Sequence, residues 1–214
     1  MLRRMQLDPS LYSYRTYVVS SGDNFSAAKA VEFETSYLDK IQKLDGRASA
    51  RDSHSANSYI IVTVPRARRV HQSFLTAPFS TLQCFWACLS VLRGQHPNQG
   101  PLPPNVLSRY PDLILTNGPA TAVCVILAAK FIRLCRYLYS LKNNNIKTRK
   151  EESVPDYQLR TIFVESWARV TTLSLSGRLL LPLVDRFLVQ WPALERKAAW
   201  RGMRKTEYVG ALVD

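Results

Sequence analysis

Long apolar runs are missing from this 214-residue sequence. A helix needs about 18 uncharged apolar residues or more to cross a bilayer, and the nearest approach, Thr121–Tyr139, is interrupted by Lys130, Arg133 and Arg136. The polypeptide as given is therefore not expected to span a membrane. MLRRMQLDPS has no apolar core of the secretory kind. Histidine is scarce, and His54, His71 and His96 lie at no metal-ligand spacing from Cys84, Cys88, Cys124 or Cys135. No metal site is expected. The four cysteines fall in apolar, helix-like stretches, which reads as buried free thiols in a reducing compartment. GxGxxG, Walker, HExxH and GxSxG motifs are all absent, so dehydrogenase, P-loop, zincin and hydrolase readings lack their signatures. There is no internal repeat.

Acidic residues are also short: 16 against 29 Lys plus Arg, a net charge of +13. Such a field favours nucleic acid, anionic lipid or phosphorylated ligands. The charge is clustered at Arg3-Arg4, at Arg66, Arg68 and Arg69, from Lys130 to Lys150, and from Arg196 to Lys205. No recognisable module interleaves basic and aromatic residues, so nucleic acid is not the expected partner. Hydrophobic residues make up 46%, enough for the core of one domain over residues 1–214.

Short apolar runs alternate with helical patterns. Arg15–Val19 reads as a strand, Ser20–Asp23 as a turn, and Asn24–Leu44 as a helix capped by Asp23 or Ser26, with Ala27, Val31, Leu38 and Ile41 on one face. Residues 46–58 form a polar loop. Tyr59–Val64 is a strand, and Pro78–Arg93 a helix bearing Phe79, Leu82, Phe85, Trp86 and Leu89. Gln95–Pro111, with five prolines, is a loop. Asp112–Thr116 is a strand, Ala120–Leu141 an apolar helix, and residues 140–158 a third flexible loop. Thr161–Val164, a helix carrying Leu173, Leu175, Leu179, Leu180 and Leu183, and Phe187–Val189 make one βαβ unit. A basic helix around Ala193–Arg204 and an extended tail, 207–214, follow. The fold class is α/β, a parallel sheet with helices on both faces.

In such sheets ligands gather beyond the carboxyl ends of the strands. Three loops belong there: Ser20–Asp23, Asn117–Thr121 and Glu165–Arg169. Backbone amides at a helix start, beside small residues, suit a phosphate or diphosphate. Each loop alone also fits an ordinary turn, and Glu165 with Arg169 also fits a capping acid and a solvated base.

The segments YVVSSGDNFSAAKAVEFE, RARRVHQSF, PDLILTNGPATAV, FVESWARVTTLSLSGRLLLPLVDRFLVQWPAL and YVGALV resemble successive blocks of one eukaryotic family. It is the membrane-anchoring, acceptor-side subunit of the UDP-N-acetylglucosamine transferase that adds the second sugar to the dolichol-linked oligosaccharide. The resemblance covers Tyr17 to Val213 outside the variable loops. It implies a Rossmann-like domain, the amino-terminal half of a GT-B glycosyltransferase, with no cofactor of its own. It also implies a separate donor-binding catalytic subunit as partner, GlcNAc-diphosphate-dolichol as acceptor, a β-1,4 linkage as product, and the cytosolic face of the endoplasmic reticulum membrane as location.

By the same resemblance Gly22, Asp23, Asn117, Gly118, Pro119 and Ser166 line the acceptor side of the cleft. Glu165 is the catalytic-cleft glutamate, which either positions sugar hydroxyls or assists deprotonation. Arg169 holds the diphosphate or pairs internally with Glu165. Tyr208, Gly210, Leu212 and Val213 belong to a terminal apolar strip that is either docked on its own domain or waiting for a partner, and the resemblance favours the partner subunit. Family members begin with a hydrophobic anchor, a strand and a glycine-rich loop, and MLRRM resembles the helix after that loop. This chain is therefore expected to lack the anchor and first strand, and to be inactive alone. A second reading, from a different class, is a basic peripheral membrane scaffold without a catalytic role.

Overall fold

The computed structural model describes residues 11–38, 59–68, 72, 75–100, 108–118, 120–143, 159–198 and 205–212. Strand β1 (Arg15–Ser20) leads into helix α1 (Asn24–Glu32), which continues as a π-helical turn over Phe33–Leu38. Next come β2 (Tyr59–Val64), α2 (Ala77–Leu92), β3 (Leu113–Asn117) and α3 (Ala120–Asn143). Then follow β4 (Arg160–Val164), α4 (Leu175–Leu180), β5 (Arg186–Val189), a 3-10 turn at Pro192–Leu194 and β6 (Glu207–Tyr208). Every strand pair is parallel. The ladder is divided, however: β1 pairs with β2, while β3, β4, β5 and β6 form a second sheet in that order. Among the described residues no ladder joins β1 to β3.

Alternation along β1 explains how helices cover both of its faces. Val18 points into a core shared by Val62 and Val64 of β2, Cys84, Cys88 and Leu89 of α2, and Val125 of α3. Arg15 and Tyr17, on the opposite face, reach Glu34 beyond α1: Arg15 donates to both carboxylate oxygens at 2.7 and 2.8 Å, and Tyr17 donates at 2.6 Å. Glu34 is 4% exposed, and a bidentate guanidinium is what makes such burial tolerable. A second core lies between α3, α4 and the β4–β5 pair, where the Phe163 and Phe187 rings sit 5.0 Å apart.

Asp185 ties this core to the amino end of β4. It accepts from the Thr161 amide at 2.8 Å and hydroxyl at 2.9 Å, and from Lys130 and Arg133 of α3. Burial alone would push its carboxyl up, but the Thr161 and Arg133 hydrogen bonds and the Lys130 charge outweigh it and hold the group at about 2.

The expected face of the first helix is corrected. On α1 Ala30 is buried and Val31 exposed, and Phe33 and Glu34 are buried in the π-helical turn that follows; Ile41 lies outside the described residues. On α2 Phe79, Leu82 and Trp86 are exposed, while Cys84, Cys88, Leu89, Val91 and Leu92 are buried. Helix α4 is only six residues long and exposes Leu175 and Leu179. Cys135 is exposed, unlike the other three cysteines. Hydrogen bonding to Cys84 and burial push the Cys88 and Cys124 thiols up. Of the expected basic helix 193–204, the described part is a 3-10 turn at Pro192–Leu194, a turn at residues 195–196 with Arg196 at φ +57° and a bridge from Ala198 to Lys205; residues 199–204 lie outside the described residues. Helix α3 runs past Ser140 to Asn143. Residues 46–58, 101–107 and 144–158 of the expected loops lie outside the described residues.

Candidate functional site

The site is built from strand ends. Asn117 closes β3 in register with Val164, the last residue of β4, which sets Glu165 beside it. Ser20 closes β1, and its hydroxyl lies 2.8 Å from that of Thr121 in the first turn of α3. That contact, with the core shared by Val18, Val62, Val64 and Ile114, bridges the divided ladder. The loops after β1, β3 and β4 therefore occupy one edge.

In the first loop Gly22 holds φ +77°, a conformation glycine adopts without strain. Asp23 caps α1 through its own carboxylate, accepting from the Ser26 amide at 3.0 Å and hydroxyl at 2.7 Å. Hydrogen bonds from Ser26, first the hydroxyl and then the amide, hold the Asp23 carboxyl below the ordinary range. A carboxylate on the first amides of α1 opposes an anion there, so the expectation of a phosphate cradle at this helix start is corrected. Arg66, just past β2, supplies the cation instead. Its Nε donates to the Ser21 carbonyl at 2.7 Å, and the guanidinium passes under Gly22.

In the second loop Gly118 turns the chain at φ +104°, and a Cβ there would meet open space. Asn117 is exposed. Pro119 lies outside the described residues.

The third loop is held from within. Glu165 is 1% exposed. One carboxylate oxygen accepts from the Ser166 amide at 2.9 Å, the other from the Ser174 amide at 3.0 Å and hydroxyl at 3.1 Å. The Ser174 hydroxyl in turn accepts from the Gly177 amide at 2.9 Å, capping α4. A Cβ on Gly177 would fall 2.2 Å from the Glu165 carboxylate, so the helix fits against this acid only because residue 177 is glycine. The carboxylate is thus turned inward, onto the donors of its own loop. No ion pair to Arg169 exists among the described residues; Arg169 is exposed, its amide closing a turn on Ser166 at 3.0 Å. Trp167 stacks on Trp191 with centroids 4.4 Å apart, and the Trp191 indole donates to the Trp167 carbonyl at 2.8 Å.

The tail is docked on its own domain, the first of the two alternatives for the strip. Glu207 and Tyr208 pair with Leu188 and Val189, and Gly210, at φ +78°, turns the chain so that Leu212 enters a cluster with Val164 and Leu188. Leu212 is 8% exposed, whereas Tyr208 and Val209 remain open at 43% and 39%. Val213 lies outside the described residues.

Sequence reasoning singled out Arg66 only as part of a basic cluster, and it missed Ser174 and Gln190. A polar residue closing the apolar run Phe187–Val189 was the available signal for Gln190. A pocket lined by Asp185, Arg186, Lys205 and Glu207 lies at the start of β5, the opposite edge, and takes no part in this site. Among the described residues no cluster of side chains has the makings of a metal site.

A family model described as Oligosaccharide biosynthesis protein Alg14 like matches residues 1–212. The chain is 63% identical over 227 residues to the UDP-N-acetylglucosamine transferase subunit alg14 of Aspergillus fumigatus, an alignment covering 100% of this chain and 99% of that protein. It is 37% identical to the Schizosaccharomyces pombe subunit of that name, covering 95% and 72% respectively. Against the human subunit identity is 32%, covering 100% of this chain and 76% of the relative. No solved structure matches.

Proposed function

Since the chain belongs to the family of Alg14-like oligosaccharide biosynthesis proteins, we propose that it is the acceptor-side subunit of a UDP-N-acetylglucosamine transferase. On this reading it serves N-glycan precursor synthesis. Its partner is a donor-binding subunit and its acceptor is a lipid-linked GlcNAc-diphosphate at the endoplasmic reticulum membrane. The observation that carries the proposal is the gathering of three strand-end loops on one edge, through the Ser20–Thr121 contact and the Asn117–Val164 register.

Each residue then has a task. Gly22 and Gly118 let the backbone approach the ligand, while Asp23 and Asn117 offer oxygen and amide groups to sugar hydroxyls. Arg66 and Arg169 are the cations at this edge, and a guanidinium binds a diphosphate by paired hydrogen bonds. Ser166 opens the third loop. Glu165 acts as a positioning residue, because its oxygens already accept three hydrogen bonds from Ser166 and Ser174. The sugar nucleotide and the groups that activate it belong to the partner, so this subunit orients the attacking hydroxyl and is inactive by itself.

The fold fits the amino-terminal half of a GT-B enzyme. In that arrangement a central parallel strand lies between β1 and β3. The division of the ladder at that place supports it.

The membrane-facing surface, in this proposal, is the outer side of α2 and α3. Phe79, Leu82 and Trp86 are spaced three and four apart, as are Leu127, Phe131, Leu134 and Leu138, and all are exposed. The Phe85 and Phe131 rings, 6.0 Å apart, join the two stripes. No described helix is long and apolar enough to cross a membrane, so attachment through this face is interfacial.

The test uses the complete protein bound to its donor-binding subunit. Arg66→Ala and Arg169→Ala should each raise the KM for the lipid-diphosphate acceptor about tenfold, the loss of one charged contact, with the KM for UDP-GlcNAc unmoved. Unchanged acceptor kinetics in both variants would remove this edge from the reaction.

A further inference from the structure

Gln190 joins the loop after β4 to the carboxyl-terminal tail. Gln190 is 3% exposed. Its Nε2 donates to the Glu165 carbonyl at 2.9 Å, and its Oε1 accepts from the Leu212 amide at 3.0 Å. Both partners are backbone groups, and neither segment reaches the other by a strand ladder. The last rung between β4 and β5 is the Glu165 amide on the Leu188 carbonyl, so the side-chain amide adds a rung beyond it. The same oxygen then fixes the tail where Leu212 enters its cluster.

We propose that Gln190 is a positioning residue that couples the tail, where the donor-binding subunit docks, to the Glu165–Ser174 loop on the acceptor edge. This rests on the proposed function above, with the partner subunit seated on the exposed Tyr208 and Val209 of the tail. The coupling follows from valence. The Glu165 carbonyl is held by Gln190 while its carboxylate holds Ser166 and Ser174. A shift of the tail amide therefore displaces the Gln190 amide plane, and a planar amide moves both of its ends together. Glutamine alone fits at this length, since one end must donate and the other accept. Tyr208 and Val209, exposed beside the buried Leu212, are the surface through which a partner can load the tail without first pulling it free.

Amide hydrogen exchange of the full-length complex tests this, using the donor-binding subunit itself as probe. In the unaltered protein, adding the subunit should slow exchange both in residues 207–212 and in residues 166–174, by about tenfold or more. Gln190→Met keeps the volume and removes both hydrogen bonds. Gln190→Glu keeps the acceptor for Leu212 and removes the donor to Glu165, so it serves if the methionine variant is unfolded. In either folded variant the tail should still be protected by the subunit, and the loop should not. The KM for the lipid-linked acceptor should rise about tenfold while that for UDP-GlcNAc holds, a split that a loss of folded protein does not produce. If loop protection persists in the variants, the coupling is overturned and the tail remains a docking element. If the unaltered tail gains no protection from the subunit, the docking reading falls and takes the coupling with it.

Discussion

Replacing Glu165 with alanine removes the acceptor of three hydrogen bonds in a place water does not reach. Its oxygens serve the Ser166 amide, the Ser174 amide and the Ser174 hydroxyl, with the residue 1% exposed. Hydrogen bonds to a charged group contribute about 1.5–3 kcal/mol each, and an orphaned buried donor costs about 1–3 kcal/mol. The contributions are not additive, because the Ser174 hydroxyl can rotate and the vacated space can admit water. A loss of about 3–4 kcal/mol is the outcome to expect for a buried network broken at its centre. For a chain of this size that lowers Tm by roughly 6–16 °C. Glu165→Gln, which turns one acceptor into a donor facing other donors, should cost about 1–3 kcal/mol. Thermal and urea unfolding of the isolated chain measure both, and turnover of the complex measures the consequence. A Glu165→Ala protein that melts within about a degree of the original while turnover collapses would contradict a positioning role and make the carboxylate a reacting group.

Gly177→Ala should destabilise by about 2 kcal/mol or more through overpacking, since the new methyl falls 2.2 Å from the Glu165 carboxylate; an unchanged melt would mean that α4 slides freely on β4. Asp185 is held at about 2, below its ordinary value, so its stabilisation is complete above about pH 4 and lost as the pH falls towards 2. Its side chain is 22% exposed, and with solvent screening the contribution is about 1–2 kcal/mol. Asp185→Asn should flatten the acid limb of the stability–pH curve there, and an unaltered limb would refute the assignment. Phe79→Ser with Trp86→Ser should weaken binding to anionic liposomes at 0.5 M salt, where screening leaves the apolar contribution of about 1.5–3 kcal/mol per side chain. Equal binding would move the lipid surface elsewhere.

The strands and the edge they define were legible because short β-branched runs such as YIIVTV have one use, and their ends name the loops. Helix faces were not. APFSTLQCFWACLSVL is apolar around its whole circumference, so no period distinguishes the core side from the outer one, and the cysteines took the inside while Phe79 and Trp86 stayed out. The leucines after β4 misled for a related reason: Ser174 and Gly177 fix α4 through Glu165, and packing then follows Leu180 and Leu181 rather than the full leucine series. Glu165 itself was legible as a special residue, but its orientation was not. Whether a carboxylate at a strand end faces inward or outward is decided by donors nine residues away. For the tail both readings stayed open, because a terminal apolar strip fits docking on its own domain as well as docking on a partner; the structure seats Leu212 and leaves Tyr208 and Val209 exposed.

The central claim is that the lipid-linked diphosphate sits on the edge formed by the loops after β1, β3 and β4. Hydrogen-exchange footprinting of the complete two-subunit complex, with and without a short-chain GlcNAc-diphosphate lipid, tests it most directly. Protection should concentrate in residues 20–23, 118–121 and 166–169. Protection confined to the opposite edge, around the pocket of Asp185, Arg186 and Lys205, would contradict the account.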